Sequence, residues 1–580
     1  MRQTRRGFVG GAAVLGAGAM VPWAAMAQTH PTRQSLASFS RDPAKVASLR
    51  RGVAVMKARA PSDPKSWFFQ AAVHAYNDAA YADALSRDPA VAQVDAQRFW
   101  NKCPHFGQSS ADFLIWHRAF IYNFERVLRD AAGDPMLALP YWDYSKSEGR
   151  AFPAIFANER LGSGDPNPLY HPNREAAFVK GSFEISDAVA AAHDAMSVEN
   201  FFSDVGRPGF AGDILDSRHT QLGLIEQRPH NDIHIAVGGA IGTVNGAMAD
   251  IPTAAFDPVF WVHHANIDRL WAEWSCVPGK SWGPLPPDAW LDEEPWEFMD
   301  VGGGVTRGSR RFFIDRINIA VFYDTDRMHG PPMPLPRALL AAAPPPPPPA
   351  SAPAPVTSER APAPGAAAAR PTEEAKASPP IFDKELLADA TPVVASPRLP
   401  AQRSFAQSET ETVVATGNAP AAEGAAAPPP PPPPPGAAGA PAPVRAAPPP
   451  ATSGDHALRG AAPPAQHRRV ILELGDITFA RTPSSGFAVY LASADDIAAG
   501  RPGTFIGLID LFGATHAHVA GMAGMSAIQR FDVTDIVARK GLGLTIKIEP
   551  YDLLVSKSGR AAPKRDDAVK IGSVRFVETS

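Results

Sequence analysis

Between about residues 339 and 467 this chain of 580 residues turns to proline and alanine, with unbroken proline runs at 344–349 and 428–435. That tract divides what can fold from what cannot. Proline lacks a backbone N–H, and a segment poor in large apolar side chains cannot bury enough surface to offset the entropy of ordering. The expectation for 339–467 is a disordered or partly polyproline-II linker, with one stretch, 381–389, able to form a helical turn. Folded structure is expected on either side, in more than one unit, because single cores stop growing at roughly 250–300 residues.

On the C-terminal side, 468–580, apolar and polar residues alternate in short runs at 470–474, 487–491, 504–508, 544–548 and 569–576. Period-two runs at fairly regular spacing predict a small antiparallel β domain. On the N-terminal side, 28–338 reads as one globular, mainly α unit, with helical periodicity around its histidines and strand-like runs at 312–315 and 317–324 near its end. Hydrophobic residues make up 45% of the chain, enough for a sizeable core, and a net charge of −4 points to neither nucleic acid nor an anionic membrane as partner. A small neutral substrate is compatible with that balance.

Ahead of the globular unit, Arg5 and Arg6 are followed by Gly7 and Phe8, then an Ala/Gly-rich apolar stretch to Val21 and an Ala25-Met26-Ala27 site. This pattern predicts an export signal over 1–27, and the paired arginines favour the twin-arginine route. The stretch is too short and too glycine-rich to span a bilayer comfortably. The expected product is periplasmic or secreted, with no membrane anchor after cleavage. Two cysteines, Cys103 and Cys276, exclude a multi-disulfide scaffold.

Two clusters of histidines then stand out by spacing. His230 and His234 are four apart, so on a helix both imidazoles leave one face about a turn from each other. About thirty residues on, His263 and His264 lie in the run 257–271, Asp-Pro-Val-Phe-Trp-Val-His-His-Ala-Asn-Ile-Asp-Arg-Leu-Trp. Upstream come His74, then Cys103-Pro104-His105, then His117 in Trp116-His117-Arg118, which opens a helical run through Phe120, Ile121, Phe124 and Leu128. Helices that place inward-facing ligands on a common axis build dinuclear metal sites. Neutral imidazole is a good copper ligand, and three nitrogens per ion leave positions open for another ligand.

The HxxxH pair, the 257–271 run, the Trp-His-Arg helix and Leu139-Pro140-Tyr141-Trp142-Asp143-Tyr144, in this order, resemble the tyrosinase and polyphenol oxidase (catechol oxidase) family of type-3 dicopper proteins. The resemblance implies two copper ions, the first on His74, His105 and His117, the second on His230, His234 and His264, with His263 not a ligand. It implies a thioether between Cys103 and His105; a free buried thiol or a disulfide to Cys276 are the alternatives. It implies that dioxygen is used to oxidise o-diphenols to o-quinones and to hydroxylate monophenols at the ortho position. Haemocyanin-like oxygen binding without catalysis and copper buffering are the competing readings.

By the same resemblance Glu226 and Asn231 hold a water that takes the phenolic proton, although Glu226 pairing with Arg228 would look alike in sequence. Phe260 packs on the ligand rings, and Asp268 and Asp257 fix imidazoles or pair with Arg118 or Arg269. The 468–580 domain resembles the plant-type polyphenol oxidase tail, which keeps that enzyme latent; an independent anchoring module is the alternative. Two departures stand out: eleven residues separate His105 from His117, a longer gap than the family's, and Val321 replaces the first tyrosine of the family's Tyr-x-Tyr at Tyr323. Oligomeric state is not legible.

Overall fold

The computed structural model describes residues 30–216, 218–241, 244–294, 296–327, 332–336, 339, 391–392, 403–405, 411–414, 468–479, 482–512, 527–557 and 569–579. The expected leader at 1–27, the helical turn at 381–389 and most of the Pro/Ala tract lie outside these residues. Among the described residues no helix is long and apolar enough to cross a membrane.

Five helices carry or frame the histidines: α1 (Pro43–Ala58), α2 (Trp67–His74), α3 (Asp112–Ala132), α4 (Asp232–Gly238) and α5 (Pro258–Trp274). Local chemistry sets their ends. Asp42, Ser66 and Asp257 accept hydrogen bonds from first-turn amides of α1, α2 and α5, and Pro258 supplies a preset φ where its missing N–H costs nothing. Helix α3 stops at Gly133, whose φ of 60° is the left-handed turn that favours glycine. Helices α3 and α5 are buried on nearly every side, so they form the central pair, with Phe124 stacked on Trp261 at 3.4 Å between ring centroids.

A buried charge lattice fixes that pair against the chain termini of the helical unit. Arg118 of α3 donates to Asp268 of α5 at 2.6 Å and lies over Trp271 at 3.3 Å, while Arg33 bonds Asp268 and Glu125. Arg33 sits on strand β1 (Thr32–Arg33), which pairs in parallel with β3 (Phe322–Tyr323); the Tyr323 hydroxyl donates to Asp268 at 2.5 Å. Tyr323 thus ties the unit's end to its core without the tyrosine that Val321 replaces. The strand-like reading of 312–315 does not hold. Ser309 caps Phe312 N, and Arg310 and Arg311 reach Asp112 and Asp292, which turns Arg310–Ile314 into a short helix. In 317–324 only β3 is strand.

The C-terminal unit is antiparallel β, as the alternation predicts. Its strands are β4 (Thr391–Pro392), β5 (Arg403–Phe405), β6 (Glu411–Val414), β7 (Arg469–Ile477), β8 (Ser485–Ala492), β9 (Thr504–Leu508), β10 (Ala527–Asp532), β11 (Thr545–Asp552), β12 (Leu554–Ser556), β13 (Val569–Ile571) and β14 (Ser573–Thr579). They form two four-stranded sheets, ordered β6-β11-β8-β9 and β10-β7-β14-β4, with β5 on β13. Three short strands, β4, β5 and β6, therefore fall inside the tract that composition assigns wholly to linker.

The two units share structure. Strand β12 pairs with β2 (Phe183–Ile185) of the helical unit, Leu554 opposite Ile185, and one apolar cluster runs through both units. Arg469 bridges to Asp213 at 2.5 Å, and the Tyr551 hydroxyl donates to the Asp232 carboxylate at 2.9 Å beneath the Arg228 guanidinium.

Candidate metal centre

Six histidines predicted as ligands, together with His219 and His263, are buried around the α3–α5 contact. Helix α4 begins just after His230, so His230 and His234 do share a face, with ring centroids 4.5 Å apart. Nε2 of His264 on α5 lies 3.3 Å from Nε2 of His230 and 3.4 Å from Nε2 of His234. The opposite nitrogens of the α4 pair are occupied: His234 Nδ1 faces the Met248 carbonyl at 2.8 Å, and His230 Nδ1 faces Asn231 Oδ1 at 2.6 Å. A carbonyl-type acceptor fixes the proton on Nδ1 and leaves Nε2 as a lone pair. Two such lone pairs converge on Nε2 of His264 in a dry site, a donor set that fits a metal ion.

Burial pushes His117 and His234 down to about 3 and holds His230, His263 and His264 well below the usual imidazole range. All five are neutral near pH 7, the form that ligates. His263 belongs to the same four-histidine group as the α4 pair and His264, stacked on His230 at 5.3 Å and facing the Tyr144 hydroxyl at 3.4 Å.

On the other side His74, at the end of α2, and His117, on α3, lie with ring centroids 5.7 Å apart, and His117 stacks on His264 at 4.2 Å. His117 Nδ1 faces the Phe113 carbonyl at 2.8 Å, again freeing Nε2. Their potential ligand atoms group with Cys103 Sγ, whereas His105 groups with His219 and Glu226. Cys103 stands between the two groups, its sulfur 3.1 Å from His105 Nδ1 and 4.0 Å from His117 Nε2. Cys103 and Cys276 are both free thiols, and burial raises the Cys103 thiol well above its usual range.

The Phe260 ring lies 4.1 Å from the His264 ring and 4.9 Å from that of His74. Asp268 differs from the imidazole-fixing role: its oxygens go to Arg118, Arg33 and Tyr323, so it joins elements. Asp257 likewise grips Arg174 with both oxygens while capping α5. Asn231 uses its carbonyl on His230, and its amide donates to Asp510 of the β unit at 2.9 Å. Glu226 is fully buried and leaves Arg228 to Asp194 and Asp232; its Oε1 instead lies 2.6 Å from His219 Nε2 and 3.2 Å from His105 Nε2. Burial alone would raise the Glu226 carboxyl, but His219 and His105 outweigh it and hold it below the usual range.

Two residues here carry no sequence signal. Phe512 of the β unit stacks on His234 at 4.1 Å and meets His105 and His230 at 5.8 Å each, covering the centre. His219 is an isolated histidine in a loop. Neither belongs to a periodic run or a motif.

Fold and site together define a protein whose helices and loops gather buried imidazoles into clusters able to hold metal ions, covered by a second domain. The profile of the common central domain of tyrosinase matches residues 64–204 and 189–276. Over residues 64–276 the chain is thus similar to tyrosinases and polyphenol oxidases. Residues 436–578 match a domain of unknown function, DUF7868. Tyrosinase HcTyr1 of Hahella sp. (strain CCB-MM4) is 32% identical over 47% of this chain and 58% of its own length. The latent form of polyphenol oxidase of Prunus armeniaca is 31% identical over 48% of this chain and 46% of its own. The chain thus spans about half the length of these curated relatives. Among solved structures, latent apple tyrosinase aligns over 95% of this chain and 97% of its own at 18% identity and a TM-score of 0.48.

Proposed function

We propose that this protein is a copper-dependent polyphenol oxidase that uses dioxygen to oxidise o-diphenols to o-quinones and hydroxylates monophenols at the ortho position. The observation that carries this reading is that Nε2 of His230 and Nε2 of His234 lie 3.3 and 3.4 Å from Nε2 of His264, with Nδ1 of His230 and His234 held by acceptors. His74, His105 and His117 would hold the first copper and His230, His234 and His264 the second. Copper held there would supply the redox chemistry between a phenol and dioxygen.

The chain's own groups do the rest. Phe260 packs the ligand rings and keeps water from them. A monophenol with a pKa near 10 is neutral at pH 7, and ionising it costs roughly 4 kcal/mol. Glu226, held ionised, is the group placed to accept that proton through a water, and Asn231 orients His230 beside it. Cys103, 3.1 Å from the His105 ring, is close enough for the thioether to form once an oxidant is present; such a bond would fix His105 against rotation. The leader at 1–27 would direct export by the twin-arginine route.

Phe512 also supports latency, because a phenol cannot reach the imidazoles while that ring lies on His234. The same ring favours a second reading, haemocyanin-like oxygen binding, since a covered site admits a diatomic and excludes a phenol. Oxygen uptake by the copper-loaded chain, intact and cut within the Pro/Ala tract, with a monophenol and its diphenol in parallel, decides between them. Quinone formation after cutting supports the oxidase; reversible oxygen binding with no phenol turnover in either form overturns it.

A further inference from the structure

His219 lies outside both ligand sets, yet its Nε2 stands 2.6 Å from Glu226 Oε1, with side chains 2% and 0% exposed. Oε1 is also within 3.2 Å of His105 Nε2, while the second oxygen, Oε2, is buried with no hydrogen-bond partner among the described residues. A buried carboxylate oxygen without a donor is costly, so the pair leaves one oxygen satisfied and one in want of a hydrogen bond.

The loop is built to keep His219 in place. Its backbone is left-handed, φ 55°, a conformation that a non-glycine residue keeps only where its surroundings enforce it. Asp216 supplies that enforcement, accepting from Thr220 N and Gln221 N at 2.5 Å and from the Thr220 hydroxyl at 2.9 Å. Ser110, just ahead of α3, donates to Gln221 O at 2.8 Å, and Arg530 N of the β unit donates to Thr220 O at 3.0 Å. The ring is therefore held from both units.

We propose that His219 is the positioning residue for Glu226: its Nε2–H holds Oε1 so that Oε2 is the oxygen turned toward the hydroxyl of a monophenol or the water that serves it. This rests on the reading of Glu226 as the group that serves monophenols. Diphenol oxidation does not need that oxygen. Loss of the pair therefore lowers hydroxylation selectively and leaves copper in place.

The test compares His219→Phe, which keeps a ring but no donor, His219→Gln, whose amide N–H replaces Nε2–H, and Glu226→Gln, all in the full copper-loaded chain assayed intact and after cutting in the Pro/Ala tract. The expected result is two coppers per chain throughout, a ratio of monophenol to diphenol turnover about 10-fold lower in His219→Phe, and most of that ratio regained in His219→Gln. An independent readout uses the metal-free chain labelled with ¹⁵N-histidine: a protected, downfield imidazole N–H proton that vanishes in His219→Phe and shifts in Glu226→Gln. If Glu226→Gln lowers the ratio while copper-replete His219→Phe does not, the positioning role is overturned and the reading of Glu226 stands. If Glu226→Gln leaves the ratio unchanged, both fall. Should His219→Phe fail to fold, a copper-replete His219→Gln chain with the ratio lost, or no protected His219 N–H in the parent, overturns the proposal.

Discussion

An imidazole ligates well only when one nitrogen is committed elsewhere, and His234 meets that condition through Met248 O at 2.8 Å. His230→Ala, His234→Ala and His264→Ala are each expected to lower copper from two ions per chain to one and to abolish nearly all diphenol oxidation. Copper analysis of the purified variants checks this, and a full complement in any of the three would remove that residue from the set. His263→Ala is expected to keep both ions, since its ring faces the Tyr144 hydroxyl, and to lose about 0.5–3 kcal/mol of stability. The proximity of His230 and His234 was legible because i, i+4 spacing projects both rings to one side. His219 and Phe512 were not, because loop geometry and domain docking bring them in, and neither leaves a period in the sequence.

At the scale of elements, Asp268 replaces an expected role with a larger one. It stands where α3, α5, β1 and β3 meet, paired with Arg118 and Arg33 and bonded by Tyr323. Asp268→Ala leaves two buried guanidinium groups short of a partner and is expected to cost about 3–5 kcal/mol, measured by denaturant unfolding. Burial alone would raise the carboxyls of Asp268, Glu125 and Asp257, but Arg118 and Arg33, Arg33 and Arg129, and Arg174 respectively hold them below the usual range. Their contribution is present above an unfolded pKa near 4 and is lost as pH falls through the folded value. The buried histidines act over a higher window. His117 and His234, near 3 when folded against about 6.5 unfolded, withdraw stability as pH falls from about 6.5 toward 3. The metal-free chain should therefore show a thermal midpoint that declines from about pH 6.5 and steepens below about 4; a flat profile down to pH 4 would mean these groups are not buried neutral. Strands β7, β8, β9 and β11 were readable from alternation, whereas Arg310–Ile314 was not, because a serine cap and buried arginine pairs override a β-prone run.

For the whole molecule the decisive fact is that one core serves two units. A tethered domain docks with the help of effective concentration, and here it also adds β12 to β2, the Tyr551–Asp232 and Arg469–Asp213 contacts, and Phe512 on His234. Cutting the Pro/Ala tract removes the tether but leaves those contacts, so release requires dilution as well as cleavage. The expected outcome is that catechol oxidation per copper rises after cutting and rises further on dilution, with copper content unchanged. Phe512→Ala separates the ring from the domain that carries it. If the ring itself blocks the imidazoles, the intact Phe512→Ala chain oxidises catechol faster than the intact parent while the β unit stays docked, as size-exclusion of the cut variant at high concentration would report. If the domain blocks access as a whole, the intact variant stays as slow as the parent and only the cut, diluted chain gains. Equal turnover in the intact parent, the intact variant and the cut chain would remove latency altogether and leave the β unit as a structural partner of the helical core.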